Sequence, residues 1–174
     1  LANGDLVEYF ISAIDDSSKY ASSAGSLTGY FVGDASIATI KSHLLSTVTG
    51  YGIQVNGLLN VRTNTFANGQ GYVQDATGGL QMFQSGGLPD LVAGRNARIQ
   101  GTLIDFNSAY ELSTPGLKFV DTTGTSTVTP VTLTLPLTHS ATNPSEGKLV
   151  KFVSLITDSI GTFTAGRNYI YKNG

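Results

Sequence analysis

From Tyr51 onward, hydrophobic side chains recur at every second position, and this change of period constrains the fold more than any other feature. Ile53, Val55, Leu59 and Val61 alternate with polar residues, with Gly57 in phase. A period of two places alternate side chains on opposite faces of an extended strand. About ten such residues, rising about 3.3 Å each, can curl around a small barrel.

The stretch Gly71-Tyr-Val-Gln-Asp-Ala-Thr-Gly-Gly-Leu-Gln-Met-Phe83 follows, with alternating runs over Tyr72–Gln74 and Leu80–Phe83 around a Gly-containing loop. It predicts a β-hairpin. Asp75 is expected to fold its carboxylate onto loop amides, and Gly78 and Gly79 are free to take positive φ. A turn-rich connection over 88–95 leads to a strand over Ala97–Phe106, a tight turn at Asn107-Ser108, and strands over Ala109–Leu112 and Leu117–Val120. Val131, Leu133, Leu135 and Leu137 alternate with Thr and Pro, and Pro136 marks that run as an edge strand or connector.

Residues 1–50 read differently. Asp5 and Glu8 have the spacing of a capping box, and Leu6, Phe10, Ala13 and Ile14 then fall on one helical face. A second helix fits Ser36–Val48, with Ile37, Ile40, Leu44, Leu45 and Val48 as its stripe and Gly50 as its stop. This helix is expected to cap one open end of the barrel, burying Ile40 and Leu44.

A repeat connects the two ends of the β region. Phe66-Ala-Asn-Gly-Gln-Gly-Tyr-Val73 and Phe163-Thr-Ala-Gly-Arg-Asn-Tyr-Ile170 share Phe-x-x-Gly-x-x-Tyr-Val/Ile. The same ungapped offset aligns Gly50 with Gly147, Ile53 with Val150, Val55 with Phe152 and Leu59 with Ile156. Residues 147–174 therefore read as the opening strands of a second copy, over Lys148–Ile156 and Asn168–Lys172. A bare two-stranded ribbon is marginal in water and its edge invites pairing. Cover is expected from within the chain, from the first barrel or from residues 1–34, which supply Leu6, Phe10, Ile11, Tyr30 and Phe31, or otherwise from neighbouring copies of the chain through the 148–172 edge. The expected organisation is a helical capping segment over 1–50, a barrel over 51–142 and an incomplete repeat over 143–174.

Only 13% of residues are charged, so hydroxyls and amides solvate the surface, a composition that points to an extracellular or cell-surface protein. A net charge of −2 gives no general attraction to nucleic acid or anionic membrane. No apolar run approaches the roughly 18–20 residues of a membrane span, so no membrane insertion is expected. The chain lacks Cys, which excludes a disulfide or thiolate–metal framework. It opens at Leu1 without Met and reads as a processed or trimmed product.

One long strand, a hairpin, a connection and two further strands form the plan of an OB-fold, a five-stranded Greek-key barrel. The wording points the same way. Ala35-Ser-Ile-Ala-Thr-Ile-Lys, Ile53-Gln-Val-Asn-Gly-Leu-Leu, Tyr72-Val-Gln-Asp-Ala-Thr-Gly-Gly-Leu-Gln-Met and Val92-Ala-Gly-Arg-Asn-Ala-Arg-Ile-Gln-Gly-Thr-Leu resemble OB-fold modules of secreted bacterial multidomain proteins. Asn143-Pro and then Gly147-Lys-Leu-Val-Lys resemble the approach to a second module in that family, while Arg95-Asn96 stand where it more usually has an acidic residue. The resemblance covers residues 35–174. It implies a mainly β chain whose modules bind or space rather than catalyse, often beside endonuclease or phosphatase domains.

Catalysis has little material. His43 lies in a helical pattern and His139 in a connector, neither beside a nucleophile or with metal-ligand spacing. Asp15-Asp16 lacks the alternating Asp/Asn loop of a calcium site, and Gly69–Gly79 lacks the Lys and helix of a phosphate loop. No enzyme, metal or cofactor is expected. The face of strands two and three is the usual OB platform for oligosaccharides or oligonucleotides. Tyr72 and Gln74 share one face of strand two by parity, with Phe83 and Tyr110 as nearby aromatics and Arg62 and Arg98 as nearby cations. These six are the candidate ligand residues, for an oligosaccharide or single-stranded nucleic acid.

Overall fold

The computed structural model describes residues 1–9, 12–14, 16, 20–22, 28–43, 51–135, 143–157, 162 and 170–173. In chain order these form β1 (Leu6–Tyr9), β2 (Ser12–Ile14), β3 (Tyr20–Ser22), β4 (Thr28–Phe31), α1 (Ile37–His43), β5 (Gly52–Leu59), β6 (Gln70–Gln74) and β7 (Gly79–Phe83). They continue as β8 (Asn96–Phe106), β9 (Ala109–Asp121), β10 (Val131–Leu133), β11 (Val150–Phe152), β12 (Leu155–Thr157) and β13 (Tyr171–Asn173).

The period-two run becomes β5, and it sets the architecture. One edge of β5 pairs antiparallel with β6, the other antiparallel with β8 from Gly52↔Thr102 to Leu58↔Asn96. The order β5-β6-β7-β9-β8 thus closes on itself as a five-stranded barrel. Ile53, Val55 and Leu59 point inward with Val73, Leu80, Met82, Ile99, Leu103 and Leu112, all buried in one core. Asn107 and Ser108 both have positive φ (55° and 64°), the pairing a tight hairpin turn requires between β8 and β9. Strand β9 runs on through Gly116, at φ +97°, so the two short strands expected over 109–120 are one.

The hairpin loop does more than turn the chain. One Asp75 carboxylate oxygen accepts from the amides of Thr77 (2.7 Å) and Gly78 (2.8 Å), as expected of the loop. The other accepts from the amide of Ile37 at 2.9 Å, while the Thr77 hydroxyl accepts from the amide of Ala38 at 3.0 Å. Those are unpaired first-turn donors of α1, so the hairpin tip caps the helix from a distant part of the chain. Ser36 Oγ takes a third, from the Thr39 amide. Neither Gly78 nor Gly79 has the positive φ that the loop permitted. They are glycine for space: a Cβ on Gly78 would lie 2.6 Å from Ile37 Cγ2, and one on Gly79 would lie 2.2 Å from the Gly147 carbonyl carbon.

Ile37 and Ile40 are fully buried in the barrel core, as the helical stripe predicts. The described helix covers Ile37–His43; Leu44, Leu45 and Val48 lie outside the described residues. The helix expected from Asp5 is not seen among the described residues, where Leu6–Tyr9 forms β1 and Ser12–Ile14 forms β2. Tertiary pairing overrides the periodicity, because Leu6–Tyr9 finds an antiparallel partner in Thr28–Phe31. Asp5 accepts from the amide of Ala2, behind it in the chain, rather than capping a turn ahead. Gly29 lets this ribbon lie on the Tyr51 ring, which a Cβ would strike, and the Tyr51 hydroxyl donates to Glu8.

Strand β4 joins β5 through Tyr30↔Gly52, so β1 and β4 extend the barrel sheet. Of the residues expected to cover the 148–172 ribbon, Leu6 and Phe31 pack against the barrel core and Tyr30 is exposed; Phe10 and Ile11 lie outside the described residues. At the other end, β10 pairs parallel with β11 and β12 antiparallel with β13. The repeat anticipates an antiparallel ribbon here, but β11 and β12 are separate strands, broken at Ser154 with φ 57°. The register also differs, since Asn173 rather than Tyr171 stands opposite Leu155. A displacement of two keeps the facing of every side chain. Phe163 and Tyr169 of the repeat lie outside the described residues.

Because Asp75 holds both its own loop and α1, Asp75→Ala is expected to lower stability by about 1–2 kcal/mol. Chemical denaturation checks this, and an unchanged midpoint would show that the cap carries no net stability.

Candidate binding face

Strand alternation brings polar residues into a row on the outer face of the barrel. Tyr72 on β6 stands opposite Gln81 on β7, and Gln81 opposite Glu111 on β9. Their neighbours Val73, Leu80, Met82 and Leu112 point into the core. The row is hydrogen-bonded throughout. Gln70 Nε2 donates to the Tyr72 hydroxyl (3.0 Å), which donates to Gln81 Oε1 (3.3 Å), and Gln81 Nε2 donates to Glu111 Oε2 at 2.6 Å. Burial pushes the Glu111 carboxyl up, against the pull of its hydrogen bonds to Gln81 and Ser113. Burial also raises the Tyr72 phenol, and the nearby Glu146 and Glu111 charges add to the shift.

Beside this row lies a groove of about 450 Å³, lined by Asn60, Val61, Phe66, Tyr72, Ala93 and the segment 147–150. Phe66 is 71% exposed at its mouth and meets Tyr72 edge to face, with centroids 6.0 Å apart. Edge-to-face pairing leaves ring faces available for stacking. Asn60 is buried in its wall; its amide nitrogen donates to the Gly147 carbonyl, and its Oδ1 has no partner among the described residues.

The second wall is the connector 143–149. Gln74 Oε1 accepts from the Leu149 amide (2.8 Å), and Lys148 Nζ donates to the Ala76 carbonyl in the hairpin loop (3.0 Å). Lys41, on α1 and buried, donates to the carbonyls of Glu146 (2.9 Å) and Asn143 (3.3 Å). Asn143 Oδ1 in turn accepts from the Ser145 amide, shaping the turn.

The six residues singled out by sequence separate. Tyr72 and Gln74 share a face, with Phe83 exposed at the end of β7. Gln74, however, is committed to the Leu149 amide. Arg62 lies in the loop after β5, gripped by both carboxylate oxygens of Asp90, which that pairing holds below the usual carboxylate range. Arg98 is on β8, bonded to Asp34 at 2.9 Å, and Asp34 also accepts from Gln54. Tyr110 has the inward parity of Leu112 and packs against the core. The reading missed Gln81, Glu111, Phe66, Asn60 and Lys41. Gln81 was recoverable from hairpin parity alone, being opposite Tyr72. Glu111 was not, because a parallel β7–β9 pairing leaves no local signature.

Among the described residues, no group of three or more His, Cys, Asp or Glu side chains is placed to hold a metal ion, and no helix is long and apolar enough to cross a membrane. His43 packs edge to face with Phe31; His139 and Asp15 lie outside the described residues. The chain matches no protein-family model, no curated protein and no solved structure.

Two buried groups give the stability a predictable alkaline profile. Burial pushes the Lys41 ammonium down to about 8, against the attraction of Glu146. The hydrogen bond to Glu8, aided by burial, pushes the Tyr51 phenol up to about 12. Above pH 8 the unfolded chain holds the Lys41 proton longer than the folded one, so stability rises with pH, by at most about 1.4 kcal/mol per unit. Above about pH 10 the unfolded chain releases the Tyr51 proton first, and stability falls. Denaturation midpoints are expected to peak near pH 10, and Lys41→Met should remove the rise while leaving the fall. A wild-type midpoint that declines steadily from pH 8 would contradict this.

Proposed function

We propose that this chain is a non-catalytic, extracellular OB-fold module that holds a neutral oligosaccharide and spaces its neighbours. The strand order and closure on β5 support the OB reading, in which the faces of the second and third strands carry the ligand. One observation carries the choice of ligand. The β6–β7–β9 face offers exposed aromatic rings beside an amide–phenol–carboxylate row, while Arg62 and Arg98 are both bound to carboxylates. A sugar needs an apolar ring face to stack on and in-plane donors and acceptors, which Phe66, Tyr72, Gln70 and Gln81 supply. A nucleic acid would bring phosphates to a face carrying Glu111 and flanked by Glu146, with no basic cluster among the described residues there to release counterions.

A second reading is a structural subunit of a surface assembly, joined to neighbouring copies through the 148–172 edge. It draws on Val153, Ile156 and Ile170, which are apolar and exposed at the ribbon.

Titration with neutral β-linked hexasaccharides and with oligothymidylate, followed by amide chemical shifts, separates these readings. The proposal expects saccharide-induced shifts at Phe66, Tyr72 and Gln81, and affinity reduced about tenfold, the equivalent of about 1.4 kcal/mol, in Tyr72→Ala. Oligothymidylate binding with a steep salt dependence, or no saccharide binding across the panel, would overturn it. Concentration-dependent sedimentation abolished by Ile156→Lys would favour the assembly.

A further inference from the structure

We infer that Lys41 is a positioning residue: it locks the connector 143–149 against the barrel, and so builds one wall of the groove and fixes the direction in which the following strands leave. The inference extends the binding proposal but does not depend on it, since the wall stands whatever the groove holds.

A lysine with 4% exposure on a short helix is an unusual choice. Lys and other charged residues are almost never fully buried unless paired. The aliphatic stem could have been supplied by Leu or Met at no desolvation cost, so the retained ammonium calls for a use. Two of its three N–H donors go to main-chain carbonyls of the connector, more than a hundred residues away in sequence, at Asn143 and Glu146. Main-chain acceptors depend on connector conformation rather than side-chain identity. Charge-assisted bonds to them define the path of the backbone more strongly than neutral ones.

The rest of the connector is arranged to accept that path. Gly147, at φ +77°, lies against Gly79 so closely that a Cβ on either would strike the other's backbone. Asn60 holds the Gly147 carbonyl, Gln74 holds the Leu149 amide, and Lys148 reaches back to Ala76. Lys41 adds bonds to the stretch just before these, at the Asn143 and Glu146 carbonyls. It is carried there by α1, whose first turn is capped by Asp75 and Thr77 from the same hairpin loop that receives Lys148. Residues 147–150 then form the wall facing Phe66 and Tyr72, and β11 continues directly from it.

Amide hydrogen exchange on the whole chain tests this, comparing wild type with Lys41→Met and Lys41→Arg. The Leu149 amide reports the connector; the Val55 and Ile99 amides report the barrel. In Lys41→Met the Leu149 amide should exchange about tenfold faster or more, as expected when a local opening replaces a global one, with the barrel amides changed little. Lys41→Arg, which keeps the charge and the donors, should restore part of the protection. Unchanged Leu149 protection in Lys41→Met would overturn the inference. So would equal loss of protection at Leu149, Val55 and Ile99, because Lys41 would then support the barrel as a whole rather than the connector.

Discussion

The contact between the Asp75 carboxylate and the first turn of α1 joins parts of the chain 38 residues apart in sequence. A single side chain satisfies amides of its own loop and the Ile37 amide at once. That fixes where α1 starts, and a helix with a fixed start has fixed faces. Ile37 and Ile40 then enter the barrel core, and Lys41, next in the chain, turns toward the connector. The alternative, an uncapped first turn against a hairpin tip without a carboxylate, would leave main-chain donors buried without partners. The Gly78 and Gly79 backbones complete the joint by admitting Ile37 on one side and Gly147 on the other.

The candidate binding face inherits its shape from this joint. Its floor is set by strand register, which places Tyr72, Gln81 and Glu111 in line across three strands. Its wall is set by the connector, which α1 and the hairpin loop hold together with Asn60 and Gln74. Polar residues recruited for structure and those free for a ligand are therefore interleaved. Gln74 is spent on Leu149, while Phe66 stands open at the groove mouth.

Much of the β architecture was legible because it is local. The alternation from Ile53, the Asp-Ala-Thr-Gly-Gly turn and the tight turn at Asn107-Ser108 each specify strands through short-range chemistry, and β5 to β8 follow them closely. The N-terminal segment was misread for the converse reason. Leu6, Ala13 and Ile14 satisfy a helical period, yet β1 exists because of a partner at Thr28–Phe31 that no window around Asp5 contains. The glycine argument failed in the same way: Gly78 and Gly79 were explicable by φ from sequence, whereas close backbone approach to α1 and Gly147 depends on the assembled fold. At the binding face, parity identified Tyr72 and Gln74 but could not tell that Arg62 and Arg98 would each be taken by a carboxylate.

If the hairpin tip, α1 and the connector form one mechanical unit, then Asp75 and Lys41 must not act independently. A double-mutant cycle with Asp75→Ala and Lys41→Met, read at pH 7 by the opening free energy of the Leu149 amide in hydrogen exchange, measures this directly. The account predicts a coupling energy of about 0.5–3 kcal/mol, the double mutant losing less than the two single losses together. Additive losses would contradict it and leave the cap and the connector as separate features of the fold.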